Sequence, residues 1–278
     1  MKYAGVLHIL INYDKILPMN KKYTILITND DGYAASGLLS LVSALRELED
    51  VEVVVVAPAN EKSACGHSLT LTRPLRFVGV EENFFKLEDG TPTDCVYLSL
   101  SAMFQDKKPD LIVSGINRGS NMGEDITYSG TAAAAMEGVL HNIPSIAISQ
   151  VMDFTNPKGD FSLAQKTIKK IVTQIRQNGF PLGEREFLNI NIPFEKQEAE
   201  MKITYAGYRV YANDAEIHQN PRGEEHYWLG LHPLNFRPRE QVEGLSDYEA
   251  IRDGFISITP IMLDLSAYKS MKQLENWL

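Results

Sequence analysis

Short apolar runs rich in valine and isoleucine recur along the first two thirds of the chain. They lie at residues 25–27, 51–57, 110–114, 143–149 and 187–192. Runs of this length without polar alternation are typical of strands that are buried on both faces of a parallel sheet. The pattern therefore predicts several parallel strands within one core.

The segments between these runs have a helical period instead. Leu38, Leu41 and Leu45 form an apolar stripe after the first run, and a second stripe extends over about 161–177. An alanine-rich helix is predicted from Ala132, and another helix begins near Thr93, the expected N-cap. This alternation predicts an α/β fold with a doubly wound, mostly parallel sheet.

Two parts of the chain are expected to form hairpins. Residues 71–80 and 83–87 make up the first. The second is an excursion over about 201–245, in which strand-like pieces alternate with polar, proline-containing loops. Long hairpins are poorly stable alone, and the excursion is rich in aromatic residues, so we expect it to serve in oligomerisation.

The remaining segments complete a single domain. A strand at 254–260 returns to the sheet, and a helix at 266–277 ends the chain. We therefore expect an N-terminal extension at 1–22, followed by one domain at 23–278. Its core comprises about 23–200 and 246–278.

Composition narrows the classes of function. The chain has 278 residues, 44% of them hydrophobic, and a formal net charge of -9, which disfavours binding to long nucleic acid. No stretch approaches the roughly 20 apolar residues of a membrane span. Cys65 and Cys95 cannot build a disulfide framework, and the apolar segment at 4–11 lacks a cleavage site. We expect a cytoplasmic protein.

The first strand ends on two adjacent carboxylates, Asp30 and Asp31, followed by Gly32. Adjacent side chains on an extended strand point to opposite faces, so the two can meet one ligand only if the chain turns there, which Gly32 permits. An Asp-Gly surface turn is the alternative. The helix that follows favours a site, because ligands gather at the carboxyl ends of parallel strands.

Polar side chains follow two further strands of the predicted sheet. Ser63 follows the second strand and Asn117 follows the strand at 110–114. Together with Asp30 and Asp31 they offer hard oxygen ligands, which fit Mg²⁺ or Mn²⁺ and not zinc or iron. Such an ion could polarise a phosphoryl group and lower the pKa of a bound water, which predicts phosphate-ester hydrolysis.

The alanine-rich helix provides a candidate phosphate site. Ser129, Gly130 and Thr131 lie at its N-terminus, where small residues and backbone N–H groups suit an anion. Serine and threonine are also ordinary helix caps. Gly115, Gly119 and Gly123 match neither a dinucleotide fingerprint nor a Walker loop, so no nucleotide cofactor is implied.

Competing chemistries have less support. Gly66-His67-Ser68-Leu69-Thr70 lacks the final glycine of a serine-hydrolase nucleophile elbow. Cys65 would need an adjacent base to act as a nucleophile. We expect His67 to be a loop residue or to lie behind the ligands, and the other histidines show no metal-ligand spacing.

These motifs together resemble the survival protein SurE family of metal-dependent 5′/3′-nucleotidases, over residues 23 to the C-terminus. The stretches that carry the resemblance are Thr28-Asn29-Asp30-Asp31-Gly32, Val56-Ala57-Pro58 with Ser63 and Ser68-Leu69-Thr70, Gly90-Thr91-Pro92-Thr93-Asp94-Cys95, Ser114-Gly115-Ile116-Asn117, Tyr128-Ser129-Gly130-Thr131 with Met136-Glu137-Gly138, Asn189-Ile190-Asn191-Ile192-Pro193 and Ser257-Ile258-Thr259-Pro260. The family usually has an acidic and a basic residue where this chain has Ala59 and Asn60.

The resemblance implies that Asp30, Asp31, Ser63 and Asn117 hold one divalent ion per subunit. It also implies a Rossmann-like core, a swapped C-terminal hairpin and a homodimer or homotetramer. The implied substrates are nucleoside monophosphates, with short polyphosphate as a further substrate in some members.

Our leading hypothesis is a phosphomonoesterase that acts on nucleoside 5′- and 3′-monophosphates. Asp30, Asp31 and Asn117 are the catalytic candidates, and Ser63, Asn117, Ser129, Gly130 and Thr131 are the substrate contacts. A second hypothesis is a non-catalytic nucleotide- or phosphate-binding oligomer in which the metal only fixes the loops. A third is an acyl hydrolase that uses Ser68 or Ser129 and needs no metal.

Overall fold

The computed structural model of the protein describes residues 22–152, 159–211, 214–230, 233–240 and 242–278. The expected N-terminal extension therefore lies outside the described residues, apart from Lys22. None of the helices in the described part of the chain combines the length and apolar character needed to cross a bilayer.

The five apolar runs that predicted the parallel strands each correspond to a strand of the structure. In chain order they are β1 (Tyr23–Thr28), β2 (Val51–Pro58), β3 (Arg76–Glu81), β4 (Phe84–Glu88), β5 (Leu111–Arg118), β6 (Ser145–Gln150), β7 (Glu186–Ile192), β8 (Met201–Tyr205), β9 (Tyr208–Tyr211), β10 (Asp214–Gln219), β11 (Glu225–Gly230), β12 (Pro233–Arg237), β13 (Leu245–Ser246) and β14 (Ile256–Met262).

Ten of these strands form one sheet in the order β13-β8-β14-β7-β6-β5-β1-β2-β4-β3. Pairing is parallel throughout the centre, from β2 through β1, β5 and β6 to β7. The β3–β4 and β7–β14 pairs are antiparallel. The predicted doubly wound, mostly parallel sheet is thus confirmed.

The described ranges contain six α-helices. They are α1 (Ser36–Arg46), α2 (Pro92–Leu98), α3 (Gly130–Leu140), α4 (Ser162–Asn178), α5 (Asp247–Arg252) and α6 (Tyr268–Trp277). A π-helical turn extends α2, and a 3₁₀ turn at Gly123–Thr127 precedes α3.

Four of the helices cover the two faces of the sheet in pairs. Leu38, Leu41 and Leu45 of α1 join the apolar side of α4 in one buried cluster against Ile25 and Ile27. On the opposite face, Leu26 packs with α2 and with Ala134 of α3. Because side chains alternate along β1, odd positions face α1 and even positions face α2 and α3. This alternation decides where the carboxylates beyond β1 point.

Three sequence predictions need correction. Thr91, and not Thr93, is the N-cap of α2: its side chain accepts from Asp94 N–H, and Pro92 takes the first helical position. β5 runs to Arg118, so Asn117 lies within the strand and not after it. β8 pairs with β14 in the central sheet, so the excursion begins after residue 205 and not at 201.

The excursion itself consists of two antiparallel pairs, β9 with β12 and β10 with β11. The predicted C-terminal hairpins are therefore present. The first strand of the earlier hairpin begins at Arg76, later than the predicted residue 71. Sequence patterning did not indicate α5 or the two-residue strand β13.

Candidate active site

Asp30 lies at the carboxyl end of β1 and is almost fully buried, with 3% of its surface exposed. Thr131 holds its carboxylate by two hydrogen bonds, one from the N–H to Oδ2 at 3.1 Å and a second, short one from the hydroxyl to Oδ1. Burial raises the pKa of Asp30, and the hydrogen bonds from Thr131 oppose the rise. The N-terminus of α3 thus fixes this carboxylate in place.

Asp31 points away from α3 and towards β5. Its Oδ2 accepts the backbone N–H of Arg118 at 3.1 Å. Burial and the nearby charge of Asp30 together raise the pKa of Asp31 to about 6, against the opposing effects of the backbone hydrogen bond and the positive charge of Arg118. Two carboxylates are therefore held side by side where each makes the other harder to ionise.

The turn that separates the two carboxylates from α1 depends on Gly32. Its φ of +98° lies in the region that favours glycine. Asn29 Nδ2 donates to the Gly32 carbonyl at 3.0 Å and closes the turn. A Cβ at Gly32 would lie 3.3 Å from the backbone of Asn60, so the residue also allows the loop after β2 to approach.

That loop carries Ser63 to the site. The N–H of Lys62 donates to the Asp30 carbonyl at 2.7 Å, and the N–H of Gly66 donates to the Tyr128 carbonyl at 2.9 Å. Ser63 is exposed, and its hydroxyl donates to Glu61 Oε1 at 2.8 Å, which leaves the oxygen lone pairs accessible. The structure therefore places Ser63 one residue from the backbone that contacts Asp30.

Asn117 is fixed near the end of β5. Its Nδ2 donates to the Gly119 carbonyl at 2.9 Å, so Oδ1 of the amide is the atom that can accept a ligand. The next residue, Arg118, contacts Asp31 through its backbone. The predicted partners of Asp30 thus come from three strand ends at one edge of the sheet.

The predicted phosphate contacts lie at the start of α3. Ser129 caps the helix, because its side chain accepts the N–H of Ala132 at 3.0 Å. A Cβ at Gly130 would lie 2.7 Å from Asp30 Cβ and 3.0 Å from Cys65 Sγ. The Thr131 N–H donates to Asp30, so in this conformation one of the predicted phosphate donors already serves a carboxylate.

The donor set suits a hard divalent cation. Two carboxylates, a hydroxyl and a carboxamide oxygen are ligands that Mg²⁺ and Mn²⁺ accept. A dication would also relieve the repulsion that raises the pKa of Asp31. In the described part of the chain, no three side chains drawn from His, Cys, Asp and Glu are placed to hold a metal ion. The candidate site contains only two such side chains, Asp30 and Asp31, and its other proposed ligands are the Ser63 hydroxyl and the Asn117 amide.

The competing nucleophiles have different surroundings. Burial and the charge of Asp30 raise the pKa of the Cys65 thiol to about 11, which disfavours the reactive thiolate. His67 hydrogen-bonds to Glu137 Oε2 at 2.7 Å, which agrees with its expected place behind the ligands. His141 contacts the other oxygen of Glu137 at 3.1 Å. The His67–Glu137 bond ties the Ser63 loop to α3.

Sequence patterning missed a buried clamp behind Asn117. The backbone N–H of Asn121 donates to Asn191 Oδ1 at 2.8 Å, and its carbonyl accepts from Asn189 and Asn191 at 2.8 and 3.0 Å. Asn121 Nδ2 donates to the Ser149 hydroxyl at 2.8 Å. The four residues of this clamp span 70 positions along the chain, and only the Asn-Ile-Asn spacing on β7 could have signalled the clamp.

The family model described as "Survival protein SurE" matches residues 25–213, which include Asp30, Asp31, Ser63, Asn117 and the start of α3. The chain belongs to the SurE family. It is 71% identical over 262 residues to the 5'-nucleotidase SurE of Sulfurimonas denitrificans, covering 92% of this chain and 99% of the relative. It is 56% identical to the 5'-nucleotidase SurE of Helicobacter hepaticus, covering 91% and 98%.

A solved structure agrees with this assignment to the SurE family. The crystal structure of the SurE protein from Aquifex aeolicus superposes with a TM-score of 0.76 at 40% identity, covering 91% of this chain and 99% of that one. The resemblance drawn from the sequence motifs is therefore confirmed at the level of family and fold. The roles of the individual site residues remain predictions.

Proposed function

We propose that this SurE-family chain is a divalent-metal-dependent nucleotidase that hydrolyses nucleoside 5′- and 3′-monophosphates to nucleoside and phosphate. The observation that carries the proposal is the pair of carboxylates Asp30 and Asp31, one fixed by the N-terminus of α3 and the other by β5. The relatives named 5'-nucleotidase SurE support the 5′ activity. We extend the proposal to the hydrolysis of nucleoside 3′-monophosphates and of short polyphosphate.

Asp30, Asp31, Ser63 and Asn117 would hold the ion, one per subunit, as Mg²⁺ or Mn²⁺. When bound, the ion supplies Lewis-acid polarisation of the phosphoryl group and activation of water. Asp30 and Asp31 orient the ion because their own carboxylates are fixed by hydrogen bonds. Asn117 contributes its amide oxygen while its Nδ2 remains on Gly119.

The start of α3 would bind the phosphoryl group of the substrate. The Ser129 oxygen accepts the Ala132 N–H, so its own proton can be donated to phosphate. The N–H groups of Gly130 and Thr131 complete the proposed contacts. Because Thr131 N–H donates to Asp30, phosphate binding there would share this donor between the phosphoryl group and the carboxylate.

We further propose that the nucleotidase is a cytoplasmic homodimer or homotetramer. Ile217, Tyr227, Trp228 and Leu229 on the β10–β11 hairpin are each at least 60% exposed. The terminal helix α6 buries none of its residues and exposes 56% of Met271, 56% of Leu274 and 78% of Trp277. Apolar surfaces of this kind suit burial against another subunit. Both cysteines are free, as a reducing compartment would maintain them.

Phosphate release from a panel of nucleotides tests the proposed activity. The purified full chain should release phosphate from AMP and from 3′-AMP in the presence of Mn²⁺ or Mg²⁺. EDTA should stop the release and added Mn²⁺ should restore it. Binding of AMP without release would favour the non-catalytic oligomer, and EDTA-resistant hydrolysis of carboxylic esters would favour the acyl hydrolase.

A further inference from the structure

The main chain of Arg118 is fixed inside the candidate site. Arg118 is the last residue of β5 and directly follows Asn117. Its backbone N–H donates to Asp31 Oδ2 at 3.1 Å. The Arg118 side chain therefore extends from a backbone that is hydrogen-bonded to one proposed metal ligand, Asp31, and directly follows another, Asn117. Replacing this side chain leaves the backbone hydrogen bond in place.

Among the described residues, none forms a hydrogen bond or an ion pair with the guanidinium of Arg118. Arg46, Arg76 and Arg252 each pair with a carboxylate, whereas within the described ranges the Arg118 side chain has neither an ion pair nor a hydrogen bond. Its Nε is buried and unsatisfied. A buried donor without an acceptor is destabilising, so its persistence at a strand end points to a ligand that supplies the acceptor.

Charge balance indicates what that ligand is. Asp30 and Asp31 formally neutralise one divalent cation, and the phosphoryl group of a nucleoside monophosphate then adds negative charge. The backbone N–H of Arg118 donates to Asp31 Oδ2, so the guanidinium extends from a residue held against that carboxylate. A guanidinium presents a planar fork of N–H donors that matches phosphate oxygens, and charge-assisted bonds of this type are the stronger ones.

We propose that the Arg118 side chain binds the phosphoryl oxygens of the substrate, in addition to the contacts proposed at the N-terminus of α3. The inference rests on the proposed nucleotidase function and adds a substrate contact to it. The alternative role is that of a counter-ion for Asp31. A counter-ion would alter cation binding, whereas a substrate contact alters phosphate binding.

Two variants and a control separate these roles. Arg118→Ala removes the guanidinium, and Arg118→Lys keeps the charge without the fork. Arg76→Ala is the matched control, because Arg76 makes a surface pair with Glu88 at 3.4 Å and its side chain is 75% exposed. For each protein, Mn²⁺ binding is measured by electron paramagnetic resonance. Binding of inorganic phosphate to the Mn²⁺-loaded protein is measured by calorimetry, and kcat and KM are measured for AMP.

In Arg118→Ala we expect the Kd for phosphate and the KM for AMP to rise by at least about tenfold. Arg118→Lys should recover part of this loss, and Arg76→Ala should match the wild type. The Kd for Mn²⁺ should not rise. Phosphate binding and KM within about twofold of the wild type in Arg118→Ala would overturn the inference. So would a loss of Mn²⁺ binding that parallels the loss of phosphate binding.

Failure of the proposed nucleotidase function can be distinguished from failure of the Arg118 proposal. If the wild type releases no phosphate from AMP, the nucleotidase proposal fails. The calorimetric comparison of wild type and Arg118→Ala with inorganic phosphate still decides whether Arg118 binds a phosphoryl group.

Discussion

At the scale of single residues, Gly130 and Glu137 show how α3 supports the site. Gly130 lets the helix N-terminus reach Asp30, because any side chain there would collide with the carboxylate. Glu137 is buried in the same helix and holds His67 of the Ser63 loop and His141. The sequence motifs around both residues were recognised, but the Glu137–His67 contact joins positions 70 residues apart and the Thr131–Asp30 contact joins positions 101 residues apart. Local patterning carries no information about such contacts.

Gly130→Ala should displace Asp30. The added Cβ would lie 2.7 Å from Asp30 Cβ, closer than real Cβ contacts. We expect a loss of about 1–3 kcal/mol in the free energy of unfolding, together with weaker Mn²⁺ binding. Gly79→Ala is the control, because a Cβ at Gly79 meets nothing within 4 Å. Urea denaturation checks the first effect and Mn²⁺ titration the second, and equal values for the two variants would contradict the role given to Gly130.

Glu137 should make stability depend on pH. Burial raises its pKa, but the hydrogen bonds and charges of His67 and His141 outweigh this and hold the pKa below the ordinary value of 4.5. A lowered carboxyl pKa stabilises the folded state above the ordinary value, and this contribution is lost as the pH falls through the folded value. Thermal melts of wild type and Glu137→Gln should therefore differ most above about pH 5 and converge at lower pH. A difference that grows as the pH falls would contradict the assignment.

At the scale of elements, the apolar runs predicted the central strands because those strands are buried on both faces. The Thr91 cap was missed although Thr91-Pro92-Thr93-Asp94 contains the spacing of a capping box. β8 was assigned to the excursion because Met201-Lys202-Ile203-Thr204-Tyr205 alternates weakly, and only its pairing with β14 places it in the sheet. The reach of β5 to Arg118 was hidden by Gly115, which interrupts the apolar run.

β7 supports the Asn117 segment through the buried asparagine clamp at Asn121. In Asn191→Ala the Asn121 N–H loses its acceptor, and the Asn121 carbonyl loses one of its two donors. We expect a loss of about 1–3 kcal/mol in the free energy of unfolding, because a buried polar group is left unsatisfied. Asn178→Ala, at an exposed asparagine near the end of α4, should change stability by less than about 0.5 kcal/mol. Similar denaturant midpoints for the two variants would argue against the clamp.

At the scale of the whole molecule, one sheet brings the polar ends of β1, β2 and β5 to the same edge. Two elements, the β10–β11 hairpin and α6, expose apolar side chains to solvent. Family and fold follow from the sequence because the motifs and the strand pattern are local. The subunit arrangement does not, since it depends on surfaces whose partners belong to another copy. The exposed faces of the β10–β11 hairpin and of α6 are where we place that contact.

Trp228→Glu should weaken the proposed oligomer. Trp228 is 67% exposed in the single chain, and a charge buried in a subunit interface would be costly. Sedimentation velocity should show a dimer or tetramer for the wild type and a shift towards the monomer for the variant. Leu71→Glu, at an 86% exposed leucine before the β3–β4 hairpin, is the control. A monomeric wild type would refute the oligomer directly.

The central claim is that Asp30 holds a divalent ion that the hydrolysis of nucleotides requires. The most direct measurement is phosphate release from AMP with Mn²⁺ by wild type, Asp30→Asn and Asp106→Asn, where Asp106 is an exposed aspartate elsewhere on the surface. Asp30→Asn should lose at least about a hundredfold in rate and bind Mn²⁺ more weakly while its circular dichroism spectrum is retained, and Asp106→Asn should behave as the wild type. Full activity in folded Asp30→Asn would contradict the account.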